Sequence, residues 1–284
     1  MDSAIRTVIK PRSSFEILNI KEIINFRDLI FFLVWRNVKV KYAQSVLGLA
    51  WTFIQPFMTM IVFTLVFGKV AQIPTDGIPG PIFYFSALIP WTYFSSSFTG
   101  ATGSLITSQG LFTKVYFPRI IIPITPLLSK FVDFSISLLF LLGMMAYYGI
   151  MPGIEVLALP LLIIIMFLTA GGMGMLLTSL SVQYRDVQYL MSFMVRLLMY
   201  GTPIIYSINL LKEQIGVYGL PDWLIYIYGL FPMAGVIQGF RSALVGGSPM
   251  PWDLIGIGFL SSILIFLIGA YYFKSKEQIF ADVV

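Results

Sequence analysis

The sequence contains no cysteine and no histidine. Disulfides, thiolate zinc sites, haem held by Cys or His, and imidazole acid–base chemistry are therefore excluded within the chain. Charge is scarce as well. Only 11% of the residues are Asp, Glu, Lys or Arg, against roughly a quarter in soluble domains. No phosphate-binding loop is present: the one Gly-Lys pair, Gly68-Lys69, runs into Val70 and lacks the rest of the motif. No two carboxylates are placed to act together as acid and base, and Asp133 is the only acid within an apolar run. An enzyme acting on lipid-linked sugars fits poorly with that inventory. Residues 1 to 28 are polar and mixed in charge, so no signal peptide is expected there.

What the chain has instead is apolar bulk. Hydrophobic residues make up 58% of its 284 positions, and the mean hydropathy is +0.88. Such a composition marks an integral membrane protein, and the length leaves little room for a large soluble domain. Apolar runs predict six spans, about 48–67, 82–106, 123–148, 156–180, 189–208 and 254–273. Between the last two lies residues 209 to 248, where Trp223 to Leu230 and Met233 to Val245 are each too short to cross. Two short helices that enter the membrane and return fit this stretch; a single span kinked at Pro232 is the alternative. Six spans put the cations of the N-terminal arm on the same side as Lys114, Arg119, Arg185, Lys274 and Lys276, with only Lys69, Lys212 and Arg241 opposite. The positive-inside bias then places both ends in the cytoplasm.

The arm itself is patterned. From Asn25 the chain reads as a helix with Phe31, Trp35, Val38 and Tyr42 on one stripe, while Arg36, Asn37, Lys39, Lys41 and Gln44 lie off it. A helix of that kind rests on a surface with its cations free to reach water or lipid phosphate. Leu47-Gly48 then interrupts it, and the first span begins. A plain basic segment that only sets topology is the simpler reading.

Two further signals stand out. Lys130 and Asp133 share a helix face near the start of the third span, and Arg196 lies inside the fifth. They would be the coupling groups of an ion-driven secondary transporter; in the simpler reading Lys130, near the cytoplasmic end, snorkels or pairs with Asp133. Aromatic residues make up 16% of the chain. Tyr84, Trp91, Phe94 and Phe98 recur on one stripe of the second span, with Tyr93 beside them, and Trp51, Phe53 and Phe57 crowd the first. Flat rings with polar tips suit sugar faces, although such stripes are more often packing.

Three segments resemble a known family: WRNVKVKYAQSVLGLAWTFIQPFMTMIVFTLVFG from Trp35, LFTKVYFPRIIIP from Leu111 and VQYRDVQYL from Val182. With the long segment before the last span and its Phe231-Pro232, they resemble the membrane subunits of ABC-2 exporters, specifically the O-antigen, capsule and teichoic-acid polysaccharide permeases. The resemblance covers residues 25 to 276 and leaves 1 to 24 as a lead-in and 277 to 284 as a cytoplasmic tail. It implies an all-α polytopic fold: an amphipathic interface helix at about 26–42, six spans and a re-entrant external helix pair. It implies a transport subunit without its own ATPase site or cofactor. ATP and magnesium would act in two partner ATP-binding subunits, beside a second copy of this chain. The cargo implied is an undecaprenyl-type lipid-linked polysaccharide in the bacterial plasma membrane, with no role for nucleic acid; an ABC-2 drug or lipid exporter is the neighbouring alternative.

The resemblance also implies residue roles. Arg36, Lys39, Lys41, Gln109, Lys114, Tyr116 and Arg119 would meet the ATPase subunit, Gln109, Lys114 and Tyr116 through a coupling helix at 109–118 and Arg119 just after it. Leu47 and Gly48 would form the joint into the first span. Trp51, Phe57, Tyr84, Trp91, Tyr93, Phe94, Phe98 and Tyr200 would line the channel. Trp223, Pro232 and Arg241 would belong to the external gate.

Overall fold

The computed structural model describes residues 20–43, 48–112, 117–184, 186–277 and 280. Every regular element among them is helical. The chain opens with α1 (Ile20–Asn25) and α2 (Arg27–Ala43). A short 3-10 turn, Gly48–Ala50, leads into α3 (Trp51–Phe63), which continues as a π-helical stretch, Thr64–Val70. Gly48 has φ +47, a left-handed conformation that glycine adopts without strain. The joint predicted at Leu47-Gly48 is thus seen at Gly48, while Leu47 lies outside the described residues.

Next come α4 (Gly80–Thr107), the four-residue α5 (Gln109–Phe112) and α6 (Ile121–Tyr147). A 3-10 turn, Ile154–Ala158, leads into α7 (Leu159–Gln183). The chain ends in α8 (Val187–Tyr200), α9 (Ile208–Val217), α10 (Leu224–Gly229), α11 (Pro232–Val245) and α12 (Trp252–Lys276).

Among the described residues three stretches are long and apolar enough to cross a membrane: Ile121–Tyr147, Ile154–Gln183 and Trp252–Lys276. They match the third, fourth and sixth predicted spans. Ile54–Val70 and Val187–Tyr200 are apolar but shorter. The predicted span at 189–208 is not one helix. It stops at Tyr200, turns through Gly201-Thr202-Pro203, and α9 begins at Ile208 behind a Ser207 cap whose hydroxyl accepts from the Leu210 amide at 3.2 Å. The predicted short helices after it are present as α10 and α11, with α9 as a third.

Helix α4 has length to spare but carries many hydroxyls, which lowers its hydropathy. Burial suits it nonetheless. Thr102 donates to the Phe98 carbonyl at 2.9 Å and Ser104 to that of Ala101 at 2.7 Å, so these hydroxyls are satisfied by their own helix. It packs against α3, α6, α7 and α11 and forms the centre of the bundle.

Small residues set the closest approach. A Cβ on Gly172 would lie 2.6 Å from the Phe266 backbone, and one on Gly269 would lie 2.1 Å from the Gly172 carbonyl. Helices α7 and α12 therefore touch backbone to backbone, as membrane helices do where small residues face each other. A Cβ on Gly174 would lie 2.5 Å from the Ala101 methyl of α4, so these two helices also approach closely through small residues.

Candidate functional site

Helix α2 lies against the bundle through Leu33, which is buried with Leu105, Phe117, Ile121, Ile122 and Phe273, and through Phe26, Leu29 and Ile30 packed around them. Phe31 and Trp35, the first half of the expected stripe, point the other way and are exposed together with Phe32, whereas Val38 and Tyr42, its second half, line the groove against the bundle. So α2 has two apolar sides, one for the protein and one left uncovered. The sequence stripe joined residues of both sides, Phe31 and Trp35 on the uncovered one and Val38 and Tyr42 on the one toward the bundle.

At its C-terminal end α2 is fastened to α6. Lys41 Nζ donates to Asp133 Oδ2 at 2.6 Å, and the Tyr42 hydroxyl donates to Asp133 Oδ1. Tyr42 also meets Thr52 Oγ1, in the first turn of α3, at 2.9 Å. With the Tyr42 proton committed to the carboxylate, Thr52 is left as the donor in that contact. Lys130 Nζ stands 3.7 Å from the same Asp133 oxygen that Lys41 holds. Burial works against charge on Lys41, but the Asp133 carboxylate outweighs it and raises the lysine above its ordinary value. Burial, then the bond to Asp133, likewise raises the Tyr42 hydroxyl, which keeps its proton to donate. One carboxylate thus ties the end of α2 to α6, and through Tyr42 to the start of α3, across the joint.

Cavities flank this cluster on both sides. A groove of about 580 Å³ runs between α2, α4 and α6, with Arg36, Lys41, Lys130 and Asp133 in its lining beside Thr99, Gly103 and Ser108. A smaller cavity of about 210 Å³ lies between α3, α4 and α6 and is lined by Trp51, Gln55, Tyr93 and Ser137 around the same Lys130 and Asp133. The Lys130–Asp133 pair expected from spacing is present. Lys41, ninety-two residues distant from Asp133, is the closer partner and was not foreseeable from any local pattern.

The other proposed partner-contact residues divide. Arg36, Lys39 and Gln109 are exposed. Arg119 donates to the Glu277 carbonyl just past α12, and Lys41 is engaged as described. Lys114 and Tyr116, like the turn residue Arg185, lie outside the described residues. Arg196 is exposed on α8 and returns a bond to the Ser192 carbonyl at 3.1 Å.

The aromatic residues also divide. Tyr84, Trp91, Tyr93, Phe94 and Phe98 are buried inside the protein. Phe94 stacks on Phe98 at 5.7 Å and meets Phe231 edge-on at 5.8 Å, while Phe57 meets Phe140 edge-on at 5.6 Å. Trp51 and Tyr200 are exposed. They end surfaces on α3 and α8 that also expose Met58, Val62, Phe193 and Leu197.

In the segment between α8 and α12, Trp223 is exposed and Pro232 is buried as the first residue of α11. Arg241 of α11 is fully buried. Its guanidinium carbon lies 3.7 Å from the centre of the Phe83 ring. It donates to Gln238 Oε1 at 2.9 Å and to the Pro203 and Ile204 carbonyls at 2.9 and 3.4 Å. The break after α8 is thereby stitched to α11 and to α4. Among the described residues no group of acids fit to hold a metal ion occurs.

Comparison with known proteins accords with this architecture. The chain is 26% identical over 265 residues to the O-antigen export system permease protein RfbA of Myxococcus xanthus, covering 93% of this chain and 98% of that protein. It is 25% identical over 258 residues to a Klebsiella pneumoniae protein of the same name, covering 90% and 95%. The family described as ABC-2 type transporter matches residues 28–245. This membrane-embedded chain belongs to the ABC-2 type transporter family.

Proposed function

We propose that this chain is the permease subunit of an ATP-driven exporter that moves lipid-linked polysaccharide, of the O-antigen kind, outward across the bacterial inner membrane. The observation that carries the reading is the end-to-end likeness to O-antigen export permeases, with over nine-tenths of those relatives covered. ATP, with magnesium, is hydrolysed in two separate partner subunits. Two copies of the chain enclose the path, since one bundle with α4 filling its centre has no lumen for a glycan. A twofold pair is the commonest closed symmetry.

In this reading α3, α4, α6, α7, α12 and α8 with its following turn make six crossings, and both ends are cytoplasmic. The ATPase subunit meets α2 and the 109–118 loop through Arg36, Lys39 and Gln109. The uncovered faces of α3 and α8 meet their counterparts across the path, so Trp51 and Tyr200 offer rings to sugar. Tyr84, Trp91, Tyr93, Phe94 and Phe98 form the wall behind them. Helices α9 to α11 close the outer end, with Arg241 holding them to α4.

Extraction from native membranes in mild detergent tests this directly. An ATPase subunit at near-equal stoichiometry, and restored surface glycan when both genes replace a deleted exporter, is the expected result. A chain that elutes alone and transports without ATP overturns the reading.

A further inference from the structure

We propose that the groove between α2, α4 and α6 binds the phosphate of a membrane lipid, with the ammonium groups of Lys41 and Lys130 as its anion-binding pair. Three independent features converge there. The first is charge. Lys41 and Lys130 stand 2.6 and 3.7 Å from one Asp133 oxygen, so two ammonium groups share a single carboxylate. Arg36 adds a second uncompensated cation to the lining, and no salt bridge holds it among the described residues. A cavity with a surplus of cations in partly desolvated walls attracts an anion, and charge-assisted contacts to phosphate are the strong ones.

The second feature is shape. The groove holds about 580 Å³, ample for a phosphate or diphosphate head with the start of its chain. Its α4 wall is cut away at Gly103, where an added Cβ would meet nothing within 4 Å. Thr99 and Ser108 also line it, and a hydroxyl can donate to phosphate oxygens.

The third feature is depth. Phe31, Phe32 and Trp35 expose 73%, 58% and 57% of their surface on the side of α2 turned from the bundle. Exposed aromatics beside cations on one helix are the pattern of a helix seated at the headgroup level of a bilayer. A groove under that helix opens where lipid phosphates lie, not in bulk water. The phosphate has two sources, a bilayer phospholipid or the phosphate-bearing carrier of the exported glycan. The second source rests on the export reading above; the phosphate site itself does not.

The test uses the purified transporter in nanodiscs of phosphatidylcholine, titrated separately with undecaprenyl diphosphate and with phosphatidylglycerol, and native mass spectrometry to count bound lipid. Two variants attack the groove differently. Lys130→Gln removes a cation on α6, away from the proposed ATPase face. Gly103→Leu fills the cut-away wall without touching a charge, and it replaces glycine with a better helix former. Lys130→Gln is expected to weaken binding about tenfold by the loss of one charge-assisted contact, Gly103→Leu to weaken it about as much by occupying the space of the head group, while Lys130→Arg keeps most of it. A loss confined to undecaprenyl diphosphate assigns the groove to the carrier, and a loss confined to phosphatidylglycerol assigns it to a structural lipid. Binding of both lipids at the unaltered level in Gly103→Leu and Lys130→Gln overturns the proposal. Should Lys130→Gln fail to accumulate, Gly103→Leu alone decides. Glycan export by the unaltered complex is scored in parallel. Lysine-dependent lipid binding without export defeats the export reading and leaves the site standing; export with lysine-independent binding does the reverse.

Discussion

Lys41 and Asp133 meet at 2.6 Å although ninety-two residues separate them, and Tyr42 holds the other oxygen of the same carboxylate. Any push on α2 from a cytoplasmic partner therefore reaches α6 directly and α3 through Thr52. The pair is partly exposed, so its static worth is small, about 1 kcal/mol or less. Under the proposed export function its value would be in transmission. Asp133→Asn is expected to leave protein amount and basal ATPase activity of the complex near normal while lowering glycan export several-fold. Combining Lys41→Asp with Asp133→Lys restores part of it. Export unchanged in Asp133→Asn would remove the pair from the coupling route.

Gly269 and Gly172 make the closest approach found at any glycine among the described residues. Any Cβ at Gly269 collides with the Gly172 carbonyl, which is backbone and cannot swing aside. Gly269→Val should separate α7 from α12 and cost at least about 1–3 kcal/mol. The readout is the amount of monodisperse protein after detergent extraction, expected to fall steeply. Gly256, on the same α12 but with open space around it, takes Ala without loss and serves as the control.

Arg241 is a buried cation held by a ring, an amide oxygen and two carbonyls, with no carboxylate touching it among the described residues. Arg241→Ala leaves the Gln238 oxygen and the Pro203 carbonyl without this donor and opens a cavity beside Phe83. A destabilisation of about 2–4 kcal/mol is expected. Lysine keeps the charge but not the planar fork, so Arg241→Lys should lie between. Thermal unfolding in detergent measures both. Equal stability of the unaltered protein and Arg241→Ala would show that the stitch between α11 and the 201–207 turn is slack.

The long apolar helices were legible because nothing else explains such runs, and Ile121–Tyr147, Ile154–Gln183 and Trp252–Lys276 appear close to their expected bounds. In the fifth expected span hydropathy continues through Ile204 and Ile205, while the helix stops at Tyr200 and the backbone turns at Gly201-Thr202-Pro203. Hydropathy measures what a residue prefers to touch, not whether its helix is continuous. The same limit applies to α2. Its expected stripe is divided in the fold, Phe31 and Trp35 uncovered and Val38 and Tyr42 turned to the bundle, and the face buried in the protein runs through Leu33, because two apolar sides blur a single-stripe reading. Lys130 and Asp133 were found by their spacing of three. Lys41 was missed as their partner because only tertiary folding brings α2 to α6.

The aromatic residues give the sharpest division between structure and transport. Phe94 and Tyr84 are completely buried, whereas Trp51 and Tyr200 are exposed by 53% and 60%. Truncating the buried rings should act on stability. Phe94→Ala removes a ring stacked on Phe98 and costs about 3–5 kcal/mol, so export falls in step with the amount of folded protein. Truncating the exposed rings removes no packing of that kind. If α3 and α8 face the sugar path, Trp51→Ala with Tyr200→Ala should lower export per folded transporter, with protein amount unchanged. Export normalised to purified protein separates the two cases. Should the exposed pair leave that ratio untouched while Phe94→Ala lowers it, the path runs along α4, and α8 or α11 must move aside during transport to uncover it.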